Sequence, residues 1–176
     1  MRKINLPVLT MVSAISLALL LLGQHFIFSR HTVRGWEEKF ADIPGVAAAA
    51  VDSTPNGLSL TLQLDNETGL QETYGQILNL AAEAGISLDA VSILDTRGPI
   101  LSQTLYEIHY AIQEGIATGR FQHMADAVAQ GLAHRGIDNY QLWVDNELIY
   151  LEMHYGPEHL YQVFPRRESE PGGSAV

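Results

Sequence analysis

The stretch VSILDTRGPILS, Val91 to Ser102, contains the residues that most invite a catalytic reading. A β-branched run ends in Asp95, and Thr96, Arg97 and Gly98 follow. An Asp-Thr-Gly loop serves chemistry in which two carboxylates a few Å apart share one proton. Here Arg97 interrupts that loop, and Asp52-Ser53-Thr54 is the one faint echo that could supply a second carboxylate. Aspartate and glycine also dominate turns, and an aspartate at a strand end bonds nearby backbone N–H groups. The stretch is therefore read as a strand end followed by a turn, with Arg97 open to two uses: pairing with Asp95, or serving as one of few positive charges available to an acidic neighbour.

The seven histidines raise the question of a metal. His25 and His31 lie at the N-terminal apolar segment, and His109, His123 and His134 fall on expected helices. His123 and His134 share a side of one helix but stand about 16 Å apart along it, too far to hold one ion. Glu152 and His154 alternate on a strand and share a face, with His159 beyond the next turn, so two or three ligands could meet there. A solvated sheet face is the expectation for this group. The chain lacks a Gly-x-Ser-x-Gly elbow, a Gly-x-x-x-x-Gly-Lys loop and a His-Glu-x-x-His pair. Tyr106, Tyr110, Tyr140, Tyr150, Tyr155 and Tyr161 crowd the C-terminal half. They are expected in the core or at its rim, and a partner-binding surface is the other use of so many tyrosines. No catalytic, cofactor-binding or metal-ligating residue is assigned, and the chain is not read as an enzyme.

Elements must position these residues, and the first is at the N-terminus. From Ile4 to Ser29 no Asp, Glu, Lys or Arg occurs. About 20 apolar residues span a bilayer core. Arg2 and Lys3 precede the stretch, as in a secretory signal, but the residues after it (GQHFIFSR) are bulky and offer no small-x-small cleavage site. An uncleaved anchor over residues 1–30 is expected, with a cytoplasmic N-terminus and the rest outside the cytoplasm. All 20 acidic residues and 8 of the 10 basic ones follow the uncharged stretch Ile4 to Ser29, so the exported part carries about −12. Such a surface repels phosphate backbones, which argues against a nucleic-acid partner. The absence of cysteine excludes disulfides and thiolate chemistry.

Beyond the anchor the patterns predict an α+β fold. Val33, Trp36 and Phe40 recur at helical spacing, and Pro44-Gly45 closes that helix. VAAAAVDST reads as a strand and Thr54 to Gly57 as a turn. LSLTLQLD alternates, with Leu58, Leu60, Leu62 and Leu64 on one face. Leu70, Tyr74, Ile77, Leu78 and Ala81 form a helical face, and LDAVSILD returns to strand. Residues 31–98 thus form an αββαβ unit. In residues 99–167, Pro99 opens a helix with a Leu101-Leu105-Ile108-Ile112-Ile116 stripe, and a second stripe runs from Phe121 to Leu132. A C-terminal antiparallel sheet of three strands follows, with Ile149, Leu151 and Met153 inward. Residues 168–176 form a polar, Gly/Pro-rich tail expected to be disordered.

The αββαβ stretch resembles the ring-building domain found in flagellar MS-ring proteins, type III secretion inner-ring lipoproteins and stage III sporulation ring proteins. The resemblance rests on Ile43, Gly45 and Val46 after a helix, then two strands, a helix and a strand with Val91, Ile93 and Asp95, followed by Gly98 and Leu101. It covers residues 34–102. It implies an extracytoplasmic domain that associates side by side, and no catalytic residues. The expected function is a membrane-anchored scaffold or protein-interaction domain, partnered by the membrane, by another protein or by its own copies. The alternative is a tethered small-molecule or peptide sensor. A metal-dependent hydrolase built on Glu152, His154 and His159 stands third.

Overall fold

A computed structural model describes residues 35–65 and 68–166. Within them the chain is α+β, with four helices and two three-stranded sheets. The expected anchor over residues 1–30 and the tail over 168–176 lie outside the described residues. Among those described, no helix is long and apolar enough to cross a membrane.

Helix α1 covers residues 35–41. Its Trp36 and Phe40, one turn apart, pack ring to ring at 6.1 Å, and Phe40 is fully buried. The chain then turns sharply through Gly45, whose φ of 91° and close approach to the Thr73 hydroxyl both require the missing Cβ. Strands β1 (Val46–Thr54) and β2 (Gly57–Leu64) form a hairpin in which Thr54 faces Gly57, so Pro55 and Asn56 make the turn. Leu60, Leu62 and Leu64 are buried, as the period of two requires. Helix α2 (Leu70–Glu83) then carries the chain to β3 (Leu88–Leu94), which lies parallel to β2 on its far side. A parallel return needs such a crossover. Leu70 and Ile77 of α2 bury against β2 in the same cluster as Phe40, Ile43 and Val46.

Pro99 begins α3 (Pro99–Thr118), which ends at Gly119 in the left-handed conformation. Helix α4 (Phe121–His134) folds back on it. Gly115 makes the contact close, since a Cβ there would overlap Met124. The second sheet, β4 (Asn139–Val144), β5 (Leu148–Tyr155) and β6 (Glu158–Pro165), is antiparallel throughout. Ile149, Leu151 and Met153 of β5 bury beneath Leu101, Ile108, Ile112, Met124, Val128 and Leu132. The opposite face is covered as well. Tyr150 and Tyr161 belong to the cluster of Leu60, Leu62 and Ile77, and Tyr74 of α2 meets Tyr150 edge to face at 5.8 Å. Strand β5 therefore lies between the helical hairpin on one side and α2 on the other.

Candidate functional site

Period two places Tyr150, Glu152 and His154 on the α2 side of β5, with His159 and Tyr161 beside them on β6. The N-terminus of α2 arrives over this face with no side-chain cap of its own at Gly69. The first N–H groups of a helix lack intrahelical partners, and the helix dipole favours an anion there. Glu152 meets both needs from another element. Its Oε2 accepts the Leu70 N–H at 3.1 Å, and its Oε1 lies 2.7 Å from His154 Nε2. A carboxylate only accepts, so Nε2 is the protonated nitrogen of His154. Glu152 is 6% exposed. The expected solvated face is thus corrected at Glu152, because α2 covers that end of the strand.

His159 lies directly opposite His154 in register, with the two rings 6.4 Å apart and Tyr161 close to both. It ties the second sheet to the segment after β3. The Thr96 N–H donates to the His159 carbonyl at 3.1 Å, and the His159 N–H donates to Thr96 Oγ1 at 3.1 Å. Thr96 Oγ1 also lies 3.1 Å from His159 Nδ1. Next to Thr96, Asp95 forms an ion pair with Arg97, whose Nε donates to Asp95 Oδ2 at 2.6 Å. Asp95 Oδ1 accepts the Arg97 N–H at 3.4 Å. The opening stretch is therefore a strand end closed by its own turn.

A carboxylate dyad does not form. Asp52 stands opposite Ser59, which aligns with Ala90, whereas Asp95 follows Leu94 at the other end of β3. At about 3.3 Å per residue the two lie about 16 Å apart along the strands alone. The metal trio does not form either. His154 is bonded to Glu152 and His159 to Thr96, and among the described residues no group of three or more His, Asp or Glu is placed to hold an ion. His109 packs on Phe164, while His123 and His134 are exposed on α4.

Two open clefts flank this seam, each about 330 Å³. One lies between the outer strands β3 and β6, lined by Val91, Ile93, Arg97, Tyr161 and Val163 with Tyr74. The other lies between the middle of α2 and the β4–β5 turn, lined by Gly75, Leu78, Asn79, Asp145, Glu147 and Tyr150. Leu148 belongs to both. Burial, reinforced by the charges of Glu152, Asp65 and Asp95, pushes the Tyr161 hydroxyl up to about 12. Burial likewise raises Tyr150, whose hydroxyl donates to Asp145 Oδ2 at 2.8 Å. Burial alone would raise Asp145. The N–H groups of Glu147 and Leu148, the Tyr150 hydroxyl and Arg166 outweigh it and hold the carboxyl below its ordinary value.

The tyrosines divide. Tyr150 and Tyr161 are core, as expected, but Tyr106 and Tyr110 are 64% and 68% exposed and meet edge to face at 6.3 Å on the outer side of α3. Core or rim is corrected for these two. Thr96 carries a structural role, and Gly75 a place in the second cleft, that no sequence motif singled out. For Gly75 a signal existed, since a glycine inside a helical pattern is unfavourable and calls for a reason. No protein-family model matches the chain, and a comparison with curated proteins finds no match.

Proposed function

We propose that this chain is a single-pass, membrane-anchored protein whose α+β part lies outside the cytoplasm. There it serves protein–protein interaction, as a scaffold that self-associates or joins an envelope complex. The observation that carries the reading is the Tyr106–Tyr110 pair, turned away from the core on a helix whose opposite face is fully packed. Tyrosine supplies contact area at low entropy cost, and paired exposed aromatics are better suited to a partner than to water. Trp143, Leu94 and Ile100 add exposed apolar surface. The seam clefts are open rather than enclosed, whereas a small-molecule site buries most of its ligand. The resemblance of residues 34–102 to the ring-building domain belongs to the same reading.

The test is sedimentation of the full chain in neutral detergent at rising concentration, alone and with envelope extract. The expected result is a concentration-dependent larger species. Replacing Tyr106→Ser together with Tyr110→Ser should weaken it while leaving the melting temperature within a few degrees. A chain that stays monomeric at every concentration and recruits nothing overturns the reading.

A further inference from the structure

The groove between α2 and the β4–β5 turn brings together two features that bear on a partner. The first is Gly75. It lies in the interior of α2, where glycine costs about 0.5–1 kcal/mol relative to alanine. A Cβ at Gly75 would meet nothing within 4 Å, so none of the described residues requires its absence. Glycine also serves where another backbone or ligand must come close. The second feature is charge. Glu147 lines the groove, and Glu72 lies one turn before Gly75 on the same side of α2. Neither carboxylate has an ion-pair partner among the described residues.

The described residues have no cation to spare for them. Among the described residues Lys39 sits over the Trp36 ring at 4.1 Å, and Arg97 is paired with Asp95. Arg120 lies 3.9 Å from Glu114, and Arg135 is paired with Glu107. Arg166 bonds the Asp145 carbonyl and covers the Phe121 ring. All five basic side chains are thus engaged internally, while the whole chain holds 20 acidic residues against 10 basic. A second copy brings the same shortage, so its charges would repel rather than complement this rim.

We propose that the groove between the middle of α2 and the β4–β5 turn docks a cationic segment of a partner protein. That segment brings lysine or arginine to Glu72 and Glu147 and lays its backbone or small side chains over Gly75. Leu78, Leu148 and Tyr150 form the apolar floor. This assignment rests on the protein-interaction reading above and gives that partner its chemistry.

The test uses the full chain in discs of zwitterionic lipid, with empty discs as the blank. The probe is a fluorescent short peptide of Lys, Ala and Leu, compared with its counterpart carrying Glu in place of Lys. The Lys peptide should bind and lose affinity as salt rises, and the Glu peptide should not bind. Gly75→Leu, whose Cβ meets nothing within 4 Å, should weaken binding tenfold or more while the melting temperature stays within a few degrees. Glu147→Gln should weaken it roughly two- to fivefold, the range for an exposed ion pair. Equal binding of the two peptides, or binding of the Lys peptide unchanged in Gly75→Leu, overturns the assignment. If the full chain still forms its larger species in sedimentation, that result removes the groove as the site and leaves the proposed function standing.

Discussion

Strands β3 and β5 alternate similarly in sequence and end up in different surroundings. On β3, Val91 and Ile93 are half-buried while Ala90, Ser92 and Leu94 stay exposed, so the strand has one partly covered face and one wet face. On β5, every residue from Ile149 to Met153 is buried. The difference is position. β3 is the outer strand of its sheet, whereas β5 is central and covered on both sides. Covering the second face forces each polar residue on it to find a partner. Glu152 does so by capping α2, and Tyr150 by bonding Asp145. The strand covered on both sides thus also connects the two halves of the molecule.

The largest loss of stability is expected on β5. Leu151→Ala should destabilise by about 3 kcal/mol, read from urea denaturation, because the site is packed on all sides. Val91→Ala on β3 should cost about 1 kcal/mol, and equal losses at the two positions would remove the distinction. Next is Glu152→Ala, expected to cost about 2–3 kcal/mol by leaving a buried helix N–H and His154 without their acceptor. Glu152→Gln keeps an acceptor for Leu70 and should recover part of that loss. Asp95→Ala breaks a turn-local ion pair and should cost about 1 kcal/mol or less in the same assay.

High pH gives another contrast. The Tyr161 hydroxyl titrates near 12 in the fold and near 10 when unfolded. Its contribution is therefore fully present below about pH 10 and is lost as pH rises toward 12. Denaturation midpoints should fall across that window, and Tyr161→Phe should flatten the fall. The smallest effect is a gain. Gly75→Ala should raise stability by about 0.5–1 kcal/mol in thermal or urea melts, since nothing obstructs the new methyl. A loss there would mean that the glycine serves the fold itself.

Much of the architecture was legible because it is local. The leucine alternation in β2, the stripes of α3 and α4, the turn before Gly57 and the inward set of β5 all follow from spacing along the chain. What escaped was the identity of the element that covers a given face. Period two says that Glu152 and His154 share a side, but Leu70, whose N–H Glu152 accepts, is 82 residues away in sequence. Tyr106 and Tyr110 failed for a related reason. They flank the Leu105–Ile108 stripe, and one step around the helix moves a side chain from the core margin to open solvent. The Asp95–Arg97 pair was one of two uses open to Arg97 in the sequence, and it is the local one, closing within two residues.

The Thr96–His159 bonds also bear on how the chain avoids misassembly. The outer strand of a sheet presents a row of backbone donors and acceptors on which another chain can grow. Strands β3 and β6 are both outer strands, and they meet where Thr96 takes up the N–H and carbonyl of His159. Each sheet therefore shields one end of the other's edge. A chain that lost this clasp would have two longer rows open to templating, and aggregation during folding would be its first symptom.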